Sequence, residues 1–278
     1  MQIGIVGLGL IGGSLGLDLR ALGHRVYGIA RRPDTCVAAV GLGAVDSATS
    51  DLASLAPVDL VMVCTPIAAI APTVEALAPH LSPETVVTDV GSVKGAVVTA
   101  AAAHWPWFVG GHPMAGKAEA GLAAAEANLF VNRAYVVTPL AETPPAAISR
   151  VQDLAQSLQA KVLTCSPSDH DRAVAWISHL PVMVSSSLIQ ACLQESDGTV
   201  LALAKALASS GFASTSRVGG GNPELGMMMA RYNREALLES LRNYQDQLTQ
   251  LTQLIDGEQW STLEALLTRS QQARPEFL

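Results

Sequence analysis

The stretch "QIGIVGLGLIGGSLG", Gln2 to Gly16, decides the fold. "QIGIV" is an apolar run of strand length, and it feeds directly into Gly7-x-Gly9-x-x-Gly12 and then a helix-forming segment. A glycine triplet alone is a weak signal. Between a strand and a helix each glycine has a physical task. Gly7 allows the tight turn, Gly9 lets the backbone approach a pyrophosphate, and Gly12 lets helix pack on strand, while the helix N-terminus adds partial positive charge. The turn therefore predicts dinucleotide binding by Gly7, Gly9, Leu10, Ile11 and Gly12, with Thr65 and Pro66 of "VCTP" expected beside them.

The pattern extends outward from that unit. Short β-branched runs alternate with helix-like stretches: "RVYGI" (25 to 29), "DLVMVCTP" (59 to 66), "TVVTDV" (85 to 90), "WFVGG" (107 to 111), "AYVVTP" (134 to 139) and "AKVLTCSP" (160 to 167). Near-continuous apolar strands separated by crossovers predict a parallel sheet covered on both faces, a doubly wound (Rossmann) α/β domain spanning residues 1–167. After that the β-pattern stops. Residues 168–278 read as an all-helical second domain, with one helix over 169–192 and another over 223–255 that would run about nine turns. The Met- and Leu-rich face of that long helix calls for a partner, so a homodimer built on the helical domain is expected.

Composition bounds the rest. The 278 residues are 49% hydrophobic and 15% charged, too apolar for a disordered chain, while no uninterrupted apolar run reaches membrane-spanning length. The N-terminus has no basic start and is dense in glycine, so it reads as folded structure and the protein as cytoplasmic. Four dispersed cysteines without a CxxC pair point to packing roles in a reducing compartment, and no metal site is expected. A net charge of −7 disfavours a nucleic-acid partner.

Two choices follow from individual residues. A second strand that binds NAD usually ends in Asp or Glu; this one ends "GIARRPD", with Arg31 and Arg32, which favours NADP unless both arginines are merely solvated. Oxidising an alcohol also needs a base within hydrogen-bond reach of the hydroxyl. Of six histidines, His24, His80 and His104 sit in surface contexts, leaving His112, His170 and His179. His112 follows the fifth strand in "FVGGHPMAGK", and Ser92 follows the fourth in "DVGSVK"; ligands of open α/β sheets bind at such carboxyl ends. Lys94 is the rival acid–base residue. His179 in "WISHLP" can equally be a satisfied core histidine, and Arg217 in "TSRVGGG" a solvated arginine beside a turn.

Together, "GLGLIGGS", "VCTP", "DVGSVK", "GGHPMAG", "AWISHLP" and "TSRVGGGNPELG" resemble the prephenate/arogenate dehydrogenases of tyrosine biosynthesis, over residues 1 to about 260. The resemblance implies an oxidative decarboxylation: hydride leaves C4 of a cyclohexadienol for the nicotinamide, a histidine takes the hydroxyl proton, and CO2 is lost as the ring becomes aromatic. By matching motif it implies that His112 is that base, that Ser92 hydrogen-bonds to the same hydroxyl, that Arg217 anchors the ring carboxylate and that His179 is a second substrate contact. Gly116 and Lys117 are expected near the substrate, although many members carry threonine where this chain has Lys117. The short chain and basic second strand look most like NADP-linked arogenate dehydrogenases, with prephenate to 4-hydroxyphenylpyruvate open as an alternative. Two other readings compete. A β-hydroxyacid dehydrogenase would use Lys94, and a non-catalytic NADP-binding sensor would need no base.

Overall fold

The structure is a computed structural model describing residues 1–117 and 119–277. Its first part alternates strands and helices: β1 (Gln2–Val6), α1 (Leu10–Ala21), β2 (Arg25–Ile29), α2 (Pro33–Gly41), β3 (Ser47–Thr49), β4 (Leu60–Val63), α3 (Ile67–Leu77), β5 (Val86–Asp89), α4 (Gly95–Ala102), β6 (Phe108–Pro113), β7 (Ala134–Thr138), α5 (Pro145–Ser157) and β8 (Lys161–Thr164). The eight strands form one sheet in the order β3-β2-β1-β4-β5-β6-β7-β8. The step from β1 outward in both directions is the doubly wound arrangement expected from the glycine turn.

Strand periodicity makes the two layers. Leu60 and Met62 of β4 pack with Ile3, Ile5, Leu15 and Leu19 on one face. Val61 and Val63 pack with Ile70, Val74 and Leu77 on the other. All four β4 residues are buried, as a strand covered on both faces requires.

Two details of the sheet differ from the reading of the sequence. β3 is only "SAT", half exposed at the sheet edge, too short and polar to register as a strand, so every later strand is one higher in number. The sheet is also not parallel throughout. β6 and β7 pair antiparallel, with His112 opposite Val136, because the connection between them is a long loop rather than a crossover helix.

The helical part comprises α6 (Pro167–Val174), α7 (Leu180–Leu193), α8 (Gly198–Leu207), α9 (Ser210–Ser216), α10 (Pro223–Tyr232), α11 (Arg234–Asp256) and α12 (Trp260–Ala273). Each predicted long helix is interrupted. A π-helical turn, Ala175–His179, separates α6 from α7, immediately before Pro181, which has no N–H to offer a regular helix. Asn233 leaves the helical region (φ −115, ψ 37) between α10 and α11 because its side chain turns inward to hydrogen-bond. The segment Pro167–Leu193 is apolar enough, at mean hydropathy 1.3, to cross a bilayer by composition. It carries the buried polar side chains of His170, Asp171 and His179 against the rest of this chain, groups a bilayer would penalise.

The helical part is unevenly packed. No residue of α8 or α12 is buried, and Val200, Leu203, Leu207, Trp260 and Leu267 stand exposed. An open cavity of about 530 Å3 runs along α12 beside Trp260 and Leu267.

Candidate active site

The nucleotide turn has the shape its sequence implies. Gly7 sits at φ +102, where a side chain would collide with the Cys64 carbonyl at 2.6 Å, and a Cβ on Gly12 would fall 2.0 Å from the Gly7 carbonyl oxygen. A Cβ on Gly9, by contrast, would meet nothing within 4 Å. Space thus opens at the N-terminus of α1, where Gly9 caps the helix without a side chain and no acidic residue occupies the first turn. Those features fit an anionic dinucleotide at this end of α1, with Leu10 and Ile11 in its first turn. Thr65, in the turn after β4, has a buried hydroxyl without a partner among the described residues, and Pro66 beside it is exposed. Arg31 and Arg32 lie exposed at the end of β2.

Asp89, at the end of β5, ties together the loops that carry the catalytic candidates. Its carboxylate accepts from the backbone N–H of Gly91 at 2.8 Å and of Gly111 at 3.1 Å, and it pairs with the Lys94 ammonium. Lys94 also donates to the Gly111 carbonyl at 2.7 Å. Both side chains of this ion pair are fully buried. Burial lowers the Lys94 pKa while the Asp89 carboxylate opposes that fall. The rival acid–base residue thus spends its charge on holding two strand ends together. Ser92, between them, has a buried hydroxyl with no hydrogen-bond partner among the described residues.

His112 occupies the end of β6 and is buried. The glycines before it are there for fit: a Cβ on Gly111 would lie 2.7 Å from the Asp89 carbonyl oxygen. His112 Nδ1 is 2.8 Å from Nε2 of His170, whose Nδ1 is 2.8 Å from Asp171. The Asp171 carboxylate in turn accepts from the backbone N–H of Lys94 at 2.7 Å and of Gly95 at 2.8 Å, at the start of α4. Burial pushes the His112 pKa well below the ordinary imidazole value, and the positive charge of Lys94 and the two neighbouring histidines, His170 and His179, push the same way. The imidazole is therefore neutral near pH 7, the form a proton acceptor needs.

The π turn brings His179 inward, and it is fully buried. Burial lowers its pKa to about 4, against the attraction of Asp171. Its Nδ1 lies 3.1 Å from Asn233 Nδ2, and its Nε2 is buried without a partner among the described residues. The turn that carries Arg217 is fixed to α7 through Ser185, whose hydroxyl accepts from the Gly219 N–H at 2.8 Å and donates to the Thr215 carbonyl at 2.8 Å. Arg217 itself is exposed. Lys117 is exposed as well and pairs with Glu126 at 2.6 Å on the rim of a cavity of about 350 Å3 that Gly116 and Arg133 also line.

The fold thus joins His112, Lys94, His170 and His179 in one electrostatic cluster, with Ser92 in the loop that ends at Lys94. The sequence offers His170 only as a histidine without a role, and it singles out neither Asp171 nor Asn233. The contacts that tie them to His112, Lys94 and His179 span 58, 77 and 54 positions of the chain, and no local pattern announces those contacts. The only sequence signal is the compact "DHD" following the last strand.

Comparisons with known proteins identify the family of the chain. Residues 15–164 match the prephenate dehydrogenase nucleotide-binding domain, and residues 166–269 match the prephenate dehydrogenase dimerization domain. The prephenate dehydrogenase of Bacillus subtilis is 31% identical over 91% of this chain and 70% of its own length. Among solved structures, Synechocystis arogenate dehydrogenase is 52% identical with a TM-score of 0.92 over the whole of both chains. The Aquifex aeolicus prephenate dehydrogenase, solved with hydroxyphenyl propionate and NAD+, is 28% identical with a TM-score of 0.94, covering 100% of this chain and 98% of its own. This chain belongs to the prephenate dehydrogenase family of oxidoreductases, whose nucleotide-binding domain ends in the sheet that presents His112 and whose dimerization domain supplies His170, Asp171 and His179.

Proposed function

We propose that this chain converts arogenate to tyrosine by oxidative decarboxylation, with NADP as hydride acceptor, in the cytoplasm. The observation that carries the reading is the 52% identity, over the whole of both chains, to Synechocystis arogenate dehydrogenase. The nicotinamide dinucleotide, held by the Gly7–Gly12 turn with Thr65 and Pro66, supplies the hydride acceptor. Arg31 and Arg32 would hold the 2′-phosphate where an NAD enzyme presents a carboxylate.

The residues of this chain do the remaining work. Neutral His112 takes the proton of the substrate hydroxyl as the C4–H bond releases its electron pair with the hydrogen. The unpartnered Ser92 hydroxyl holds the same oxygen. The carboxylate departs as CO2, its bonding electrons entering the ring and from there reaching the C4 oxygen, which takes the proton back from His112 as the phenol forms; aromatisation drives the step. Arg217 anchors the ring carboxylate through a two-point guanidinium contact, and the unpartnered Nε2 of His179 donates to a second acceptor on the substrate. Gly116 and Lys117 close the site from the loop after β6. Residues 1–167 form the cofactor domain and 168–278 the substrate domain, and the exposed Val200, Leu203 and Leu207 of α8 are covered by a second copy in a homodimer.

The test is to mix the purified protein with NADP and either arogenate or prephenate and follow the reduced cofactor by its absorbance. A higher kcat/KM with arogenate is expected. Absence of turnover with both substrates overturns the reading.

A further inference from the structure

We propose that His170 and Asp171 are positioning residues that fix the tautomer of His112, so that Nε2 of His112 is the basic nitrogen and the charge it acquires is shared toward Asp171. The proposal rests on the reading of His112 as the proton acceptor. An ionised carboxylate only accepts hydrogen bonds, and Asp171 is anchored by two backbone N–H groups, those of Lys94 and Gly95. At 2.8 Å from this carboxylate, His170 Nδ1 must carry the hydrogen.

In a neutral imidazole the other nitrogen then has only a lone pair. Taking His170 as the neutral ring, the proposal makes its Nε2 the acceptor and His112 Nδ1, which it faces at 2.8 Å, the donor. The rings meet edge to face, with centroids 5.1 Å apart at 70°, which lets an N–H of one ring point at a ring nitrogen of the other. His112 is left with its lone pair on Nε2. Nothing in the β6 strand fixes that choice, since the sheet holds the backbone of His112 and not its ring.

When Nε2 takes a proton, the resulting imidazolium points its Nδ1–H at His170, which is backed by the Asp171 carboxylate. This opposes the repulsion from Lys94. The groups that act on the histidine pair are Lys94 from the sheet domain, itself paired with Asp89, and Asp171 and His179 from the helical part. The sheet domain therefore carries the base, while the helical domain decides which of its nitrogens acts.

The test uses the full-length protein labelled with 15N in histidine. Nitrogen NMR is expected to show His112 protonated on Nδ1 and bare on Nε2 at neutral pH. His170→Phe, which keeps a ring of similar size and removes the acceptor, should abolish that single tautomer. With NADP and arogenate it should lower kcat by about 10- to 100-fold, part of the 10²–10⁴ that general base catalysis contributes. KM should change by less than about threefold, because substrate binding is left in place. His170→Gln, whose carboxamide oxygen can accept from His112, should recover part of the loss. A His112 protonated on Nε2 in the unmodified protein overturns the proposal, as does a His170→Phe enzyme with native kcat and native tautomer. The tautomer is read without substrate, so the proposal fails or stands separately from the function: an inactive wild-type protein with the Nδ1–H tautomer would count against the reaction and not against the positioning.

Discussion

Asn233 Nδ2 donates to the Asp171 carbonyl at 2.8 Å and lies 3.1 Å from Nδ1 of His179, so the break between α10 and α11 sets the state of a buried histidine 54 residues earlier. The carbonyl can only accept, which identifies the nitrogen of the carboxamide. His179 Nδ1 is then the acceptor, and its unpartnered Nε2 carries the hydrogen. Asn233→Leu removes the donor that fixes this tautomer. The expected outcome is a KM for arogenate raised about 10-fold, the worth of roughly one hydrogen bond to the substrate, with a smaller change in kcat. Steady-state kinetics of the variant check it, and an unchanged KM removes His179 from substrate binding.

Acidification should act on stability through the same histidine. His179 is held down to about 4 by burial, whereas an unfolded histidine titrates near 6.5. Between those values the unfolded chain binds more protons than the folded one, so stability is full above pH 6.5 and is lost as pH falls toward 4. His112, also lowered, adds in the same sense. Melting temperatures measured from pH 7.5 to 4.5 should fall below pH 6.5. A melting temperature that stays flat or rises over that range contradicts the buried neutral state.

The catalytic part of the same titration concerns His112. Because it must be neutral to accept a proton and its pKa lies well below 6.5, kcat/KM should be level at neutral pH and decline only in more acidic buffer. His112→Asn should lower kcat by about 10² to 10⁴ while KM stays near its native value. A thermal melt beside the kinetics distinguishes a lost base from a damaged turn, since only the latter lowers the melting point to match.

Lys94 is expected to behave as a structural ion. Lys94→Met leaves the Asp89 carboxylate buried without its charge partner, and breaking such a pair costs about 3–5 kcal/mol. Chemical denaturation should show a loss of that size. Removing the positive charge also lets the His112 pKa rise, which moves the acid limb of kcat/KM to higher pH. A stable Lys94→Met enzyme with no activity would instead make Lys94 the acid–base group.

The proposed preference for NADP rests on Arg31 and Arg32. A charge-assisted hydrogen bond to a 2′-phosphate contributes about 1.5–3 kcal/mol, roughly 10- to 100-fold in affinity. Arg31→Ala should therefore cut the ratio of kcat/KM for NADP over NAD by up to that factor while leaving the NAD value nearly unchanged. An unaltered ratio would return both arginines to the solvent.

The sheet domain was legible in the sequence because its determinants are local. A glycine turn between "QIGIV" and an apolar helix, and strands buried on both faces, leave periodicity and composition that survive in one dimension. Where that signal thinned, the reading failed: "SAT" pairs as an edge strand only because β2 lies beside it. The helical part was legible only as helix. Its interruptions at Ala175–His179 and Asn233 come from side chains finding distant partners, and intrinsic propensity does not encode a partner that folding has yet to deliver. Motif and strand position singled out His112. Its neutrality, its fixed ring and its link through His170 to Asp171 were decided by the tertiary structure, because burial and hydrogen-bond direction exist only once β6 and α6 are packed together.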